Sequence, residues 1–141
     1  MDLQTSNLTS YVDQNLSFAN QSSKTAVIGS EYLVGVKLQN DKGEMLGVFK
    51  ELMVNITTGK LCYAVLMTKP NEKLVAIPWD AIFYDAVRKL FLINMNAAKF
   101  GLAPAFDNTN WPNMDDETWA DEIHSYFGVP MKRRNSLHSS M

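Results

Sequence analysis

The sequence has few of the residues that build covalent cross-links, metal sites and catalytic centres. It holds one cysteine, Cys62, and two histidines, His124 and His138, among 141 residues. A single cysteine excludes an internal disulfide and any zinc site built on cysteine ligands. Neither histidine has a nucleophile and an acid at a spacing typical of catalysis. We therefore predict a chain that has no catalytic, metal or cofactor site and is not an enzyme.

Long apolar runs and an excess of positive charge are also missing. The longest uninterrupted apolar run, residues 61–67, is far shorter than the roughly 20 residues of a transmembrane helix. The net charge of −2 disfavours a general nucleic-acid binder, which needs a basic surface to neutralise phosphates. The N-terminus shows no basic segment followed by an apolar one, so we predict no secretory signal and a cytoplasmic location.

The composition divides the chain into four segments. Residues 1–25 are rich in Ser, Asn, Gln and Thr and are predicted to form a flexible polar arm. Residues 26–100 are predicted to form a β domain, residues 101–130 an acidic loop and helix packed on it, and residues 131–141 a disordered basic tail. One alternative exists for the arm, because its apolar residues near helical spacing permit a short helix that docks on a partner; they are Leu8, Tyr11, Val12 and Leu16.

Short alternating apolar segments, separated by polar turns, predict the strands of the β domain. The turns contain Asn, Asp and Gly at residues 40–43 and Gly at residues 57–60. Strands this short with tight turns indicate a small, highly curved antiparallel β-barrel. Lys50 interrupts the apolar face of the longest strand, residues 45–56, which indicates a bulge or an exposed strand end. The predicted strands are residues 32–38, 45–56, 61–68, 73–77, 82–84 and 89–93.

A helix is predicted near the C-terminus. Asp115 or Asp116 caps its start, and Gly128 ends it. Four apolar residues form one stripe along it, namely Trp119, Ile123, Tyr126 and Phe127. The acids at residues 115–117 are of the type that binds Mg²⁺ or Ca²⁺, but their spacing differs from an EF-hand loop, and helix capping explains them without a metal.

An ordered series of short motifs in the β domain resembles the PRC-barrel domain. This family includes the cytoplasmic domain of the photosynthetic reaction-centre H subunit and the C-terminal domain of the ribosome maturation factor RimM. The resemblance covers roughly residues 30–130, and the helical extension looks like that of stand-alone bacterial members. It implies a small barrel used as an interaction module, with no common catalytic residues. The motifs are Gly35-Val36, Asp41-Lys42-Gly43-Glu44, Leu46-Gly47-Val48, Gly59-Lys60-Leu61, Tyr63-Ala64-Val65 and Leu74-Val75-Ala76-Ile77-Pro78-Trp79.

This resemblance favours a non-enzymatic protein–protein interaction or adaptor module. The alternative is an RNA- or ribosome-associated assembly factor, by analogy with RimM. A small-ligand enzyme in the barrel mouth is disfavoured, because the sequence offers no assembled nucleophile, base or metal site.

Strand alternation supplies the candidate partner-binding residues, Phe49 and Met53. Both lie opposite the main apolar face of the strand at residues 45–56 and are predicted on the outer face of the barrel. A small barrel interior takes only one face of each strand, so apolar residues on the other face need a cover. We predict that the helix covers part of the outer face, and that a homodimer or another protein partner covers the rest near Phe49 and Met53.

Overall fold

The computed structural model describes residues 27–69 and 71–131. The predicted arm, residues 1–25, and nearly all of the predicted tail lie outside the described residues. Six strands form one sheet in the order β4-β3-β2-β1-β6-β5. The strands are β1 (Lys37–Asn40), β2 (Met45–Asn55), β3 (Lys60–Thr68), β4 (Leu74–Pro78), β5 (Ile82–Asp85) and β6 (Leu90–Ile93). The helices are α1 (Ala97–Gly101) and α2 (Glu117–Phe127), and two short 3₁₀ helices are η1 (Ser30–Leu33) and η2 (Trp79–Ala81).

The sheet is mixed, whereas the sequence predicted an antiparallel barrel. β1 pairs in parallel with β6, joining Leu38 to Phe91, and the other neighbours pair antiparallel. The edge strands β4 and β5 are consecutive in the chain and are joined through η2. No backbone ladder closes the barrel between them in the described ranges. Alternating apolar residues carry no information on strand direction, so this parallel pair was not foreseen.

β1 begins later than predicted. Residues 30–33 form η1, and Gly35 follows with a φ of 92°, a conformation that strands exclude for other residues. The backbone N–H of Gly35 donates to the carbonyl of Phe49 at 2.8 Å. The segment before β1 therefore still follows the edge of β2, although it is not a strand.

The inner face of the curved sheet forms the main core. Phe49 is 1% exposed and meets the edge of Phe91 with ring centroids 5.3 Å apart. Tyr84 of β5 also packs against Phe91, with ring centroids 4.8 Å apart. The contact between Phe49 and Phe91 joins two strands that are distant in sequence. The aliphatic side chains around them are Leu38, Ala64, Leu66, Val75, Ile77 and Ile93.

A β-bulge at Lys50 changes which side chains of β2 face the core. Phe49 lies opposite Leu66, and Glu51 lies opposite Val65, so Lys50 is one extra residue in β2. Such a residue shifts the alternation of the strand by one position. The residues of β2 beyond Lys50 therefore lie on the face opposite to the one that alternation counted from Phe49 would give them.

Phe49 and Met53 consequently lie on opposite faces of the sheet. The placement of Phe49 on the outer face was wrong, because Phe49 is buried in the core. Met53 pairs with Tyr63 on the outer face and is half-buried. Its role in partner binding stays a prediction.

Helix α2 packs against β4 on the outer face of the sheet. The rings of Trp119 and Tyr63 meet edge-on with their centroids 5.2 Å apart. Ile123, on the buried face of the helix, is only 1% exposed. The side chain of Asp116 accepts a hydrogen bond from the backbone N–H of Trp119 and caps the helix start. Gly128 ends the helix with a φ of 71°. Both boundaries agree with the sequence prediction.

One buried polar side chain, Asn40, connects the β1–β2 turn to the segment after β6. Its amide nitrogen donates to Glu44 Oε1 at 2.7 Å and to the carbonyl of Met95 at 3.3 Å. Its amide oxygen accepts from the backbone N–H groups of Lys42 and Glu44. An amide offers two donors and two acceptor lone pairs, so all its hydrogen bonds are made. Burial of Asn40 therefore leaves no unsatisfied polar group.

Within the described ranges, none of the helices has the length and apolarity that crossing a bilayer requires.

Replacing Gly47 with alanine tests the close approach of β2 and β3. An added Cβ at Gly47 would clash with the carbonyl oxygen of Met67 and lie 2.9 Å from the Leu66 side chain. We expect Gly47→Ala to lower the free energy of unfolding by about 2–4 kcal/mol. Gly101→Ala is the control, because no atom lies within 4 Å of its added Cβ. Urea unfolding of both variants checks this, and equal stabilities would contradict the packing described.

Candidate interaction surface

The only cysteine is not poised for nucleophilic chemistry. Cys62 is half-buried, and burial raises the pKa of its thiol above the ordinary value. Its Sγ lies 3.7 Å from the carbonyl oxygen of Lys60. A protonated thiol that donates to a backbone carbonyl is a poor nucleophile. Cys62 is therefore a packing residue.

His124 also has structural partners. The Nδ1 of His124 lies 2.8 Å from the carbonyl oxygen of Ala120, and its ring stacks edge-on with Tyr63 at 5.6 Å. Because a carbonyl only accepts hydrogen bonds, Nδ1 is the donor in this contact. Among the described residues, no three His, Cys, Asp or Glu side chains lie close enough together to hold a metal ion.

Two clefts flank α2, and their chemistry differs. The smaller, of about 260 Å³, lies between β4, α2 and the loop after α1, and is lined by apolar residues and one asparagine, Asn110. Phe106 and Trp111 pack edge-on in that loop at 5.1 Å. The larger, of about 640 Å³, lies by η2 and the end of α2 and has four charged residues, Asp41, Lys42, Asp80 and Lys99. No serine, cysteine or histidine of the described ranges lines either cleft.

The clearest surface feature is a group of exposed aliphatic side chains at one end of the sheet. Ile56 is 93% exposed and Val87 is 90% exposed, each in the turn of a hairpin. Val54, near the end of β2, and Val34, before β1, are each about half exposed. We call these four residues the aliphatic rim. Soluble proteins seldom expose several aliphatic side chains together without a use for them.

Strand directions bring the rim together. β6 runs parallel to β1, so the β5–β6 turn with Val87 lies at the end of the sheet where β1 begins, and Val34 precedes β1 at the same end. β2 runs antiparallel to β1, so its last residues reach the same end with Val54 and Ile56. Residues that are distant in sequence therefore share one end of the fold.

The β2–β3 hairpin projects beyond its neighbours at this end. β2 pairs with β1 only as far as Val48, whereas its pairing with β3 continues to Asn55. The side-chain oxygen of Asn55 accepts from the backbone N–H groups of Thr57 and Thr58 and fixes the turn. Met53 lies on the outer face of this projecting segment. Of the two predicted partner-binding residues, only Met53 therefore adjoins the rim.

The sequence did not predict the aliphatic rim, because its residues fit the apolar alternation of a buried strand. Val54 and Ile56 continue the apolar alternation of residues 45–56, a pattern that predicts the buried face. The hairpin projects beyond the neighbouring strand and exposes them instead. One signal was available, since an isoleucine directly before the turn at residues 57–60 has no strand partner to cover it.

Positive charge flanks the rim. Lys60, Arg88 and Lys89 are exposed in or beside the two hairpin turns. Arg88 Nε lies 2.8 Å from Asp85 Oδ2. The backbone N–H of Arg88, together with its guanidinium, lowers the pKa of Asp85 below the ordinary value. The acids of residues 101–130 lie instead on the segment that contains α2.

The fold agrees with a family comparison. A family model of the PRC-barrel domain matches residues 27–98, just over half of the chain. The chain therefore belongs to the PRC-barrel domain family. The match includes all six strands and the aliphatic rim and ends before α2. Among curated proteins, none matches the chain.

The contact between Tyr63 and α2 predicts a pH dependence of stability. Burial raises the pKa of Tyr63 to about 12, above its ordinary value of 10. Between pH 10 and 12 the phenol therefore ionises in the unfolded chain but stays neutral in the folded one, so stability falls as pH rises. We expect wild type to lose about 2 kcal/mol more than Tyr63→Phe over this interval. Urea unfolding from pH 9 to 12 measures this, and parallel profiles would refute the assignment.

Proposed function

We propose that the chain is a non-enzymatic protein-interaction module that binds its partner through the aliphatic rim. The observation that carries this proposal is the exposure of the aliphatic rim, Val34, Val54, Ile56 and Val87, at one end of a fold that has a packed apolar core. Domains of the PRC-barrel family are generally binding modules, which supports the same conclusion.

The chemistry of the rim suits a partner with an apolar patch surrounded by acidic groups. Aliphatic side chains at the centre gain free energy when they leave water. Lys60, Arg88 and Lys89 at the periphery would steer and orient an acidic partner. Arg88 is tied to Asp85, so the two lysines carry the freer charges of this group. Cytoplasmic location stays a prediction from the sequence.

RNA or ribosome association is the second candidate, and the same basic residues are the observation that favours it. Three phosphate contacts would give a salt dependence with a slope of only about −2.7, typical of weak binding. The rim itself offers no aromatic side chain on which a base stacks. These points favour a protein partner over a nucleic acid.

Charge substitution in the rim tests the proposal. We expect Ile56→Asp to reduce the recovery of the partner at least about tenfold in affinity purification from the source cells, because a carboxylate would be buried in the complex. Leu102→Asp is the matched control, because Leu102 is 80% exposed and lies outside the rim. Quantitative mass spectrometry of the bound proteins provides the measurement, and melting temperatures confirm that both variants fold.

The result also separates the two candidate functions. Partners that disappear after nuclease treatment, in wild type and in Leu102→Asp alike, would support RNA association. Undiminished partner recovery by Ile56→Asp would refute the rim as the binding surface.

A further inference from the structure

Part of the β2 edge carries backbone groups that no described strand uses. The N–H of Phe49 donates to the carbonyl of Val36, and the carbonyl of Phe49 accepts from Gly35. The backbone groups of Phe49 therefore point away from β3. This direction fixes which residues further along β2 point the same way.

Beyond the bulge, Leu52 and Val54 are the residues whose backbone N–H and carbonyl groups point away from β3. Phe49 lies opposite Leu66 in a pair without hydrogen bonds, so the next pair, Glu51 with Val65, is hydrogen-bonded. The backbone groups of Leu52, the residue after Glu51, therefore point away from β3 again. Val54 follows two residues later. In the described ranges β1 pairs with β2 only as far as Val48, and no backbone bond outside the strand ladders involves Leu52 or Val54. Among the described residues this end of β2 is therefore an open edge with two donors and two acceptors, and such edges attract strands.

We propose that this edge pairs with the same edge of a second copy of the chain. In the antiparallel arrangement, Leu52 lies opposite Val54 of the second copy, and a two-fold axis passes between the two Met53 residues. The outward N–H and carbonyl groups of Leu52 and Val54 then form four backbone hydrogen bonds between the copies. The interface is isologous, so it closes as a dimer.

The side chains of β2 are complementary to themselves in this register. Leu52 meets Val54 on one face, and Met53 meets Met53 on the other, so apolar side chains contact apolar side chains. Glu51 lies opposite Asn55, which avoids a pair of like charges. Val54 is 52% exposed in the single chain and would be covered. A second copy therefore provides hydrogen-bond partners for the backbone groups of this edge and covers its apolar side chains.

The inference deepens the proposed function, since it names a second copy as the occupant of one part of the rim. Ile56 and Val87 lie in the turns, outside the paired segment, and stay available to another protein. Binding of that protein does not require the dimer. The two proposals can therefore fail independently.

Sedimentation of the full chain provides the first test. Only a few residues of each copy meet, so the dimer belongs to the small, weak class of interfaces. We expect the average mass to rise from 15.9 kDa towards twice that value as the concentration increases from about 10 µM to 1 mM. A mass that stays at one chain throughout would overturn the proposal.

Proline at position 54 tests the backbone pairing directly. The N–H of Val54 points away from β3, so Val54→Pro removes an intermolecular donor and no ladder bond within the chain. We expect dimerisation to weaken at least about tenfold, because each dimer loses two hydrogen bonds. Val54→Thr is the control, since it keeps the N–H and the branched shape, and should dimerise like wild type. Equal dimerisation by Val54→Pro and wild type would contradict the pairing.

A cysteine at position 53 tests the register. In a Cys62→Ala background, Met53→Cys places two thiols opposite each other across the two-fold axis, in a pair without backbone hydrogen bonds. We expect oxidised glutathione to cross-link this variant at least about tenfold faster than Ile56→Cys, whose thiol is more exposed but lies off the axis. Equal cross-linking rates would refute the register. A monomer that still loses its partner through Ile56→Asp would refute the dimer and leave the proposed function standing.

Discussion

The faces of β2, on which the core depends, are set by one extra residue in its pairing with β3, Lys50. Without Lys50 as a bulge, Leu52 would turn outward and Met53 would turn into the core. With it, Phe49 and Leu52 both face inward, and the outer face of β2 continues that of Tyr63. A bulge also increases the local twist of a strand, which helps a six-stranded sheet to curl around one aromatic centre. One residue thus sets both the composition of the core and the curvature around it.

The two faces of the sheet are covered in different ways. The inner face closes on itself around Phe49 and Phe91, whereas the outer face of β3 and β4 is covered by α2 through Tyr63 and Trp119. The family match ends before α2, so this cover is added to the common fold. Asn40 provides the remaining link, since its amide holds the β1–β2 turn against the carbonyl that precedes α1. Polar and apolar contacts therefore connect parts of the chain that the sheet ladder alone does not join.

The elements that depend on local chemistry could be predicted from the sequence. The Asp116 cap and the Gly128 terminus of α2, the turns, and the β class all follow from residues that are neighbours in the chain. The features that the sequence did not reveal depend on distant residues. The parallel pairing of β1 with β6 needs the curvature of the sheet, and exposure of Ile56 needs the neighbouring strands to end early. Lys50 lies between these cases. The sequence indicated a bulge or a strand end at Lys50, but it did not predict that Phe49 is buried in the core.

The parallel pair between β1 and β6 has a consequence for synthesis on the ribosome. The meander of β2, β3 and β4 contains only neighbouring strands and can form as each one emerges. β1, however, has its second partner more than 50 residues away, since Leu38 pairs with Phe91, and contacts of such long range form slowly. A nascent chain that ends before β6 therefore lacks Phe91, the ring that packs against Phe49. The domain completes its core only when nearly all of the strands have left the exit tunnel.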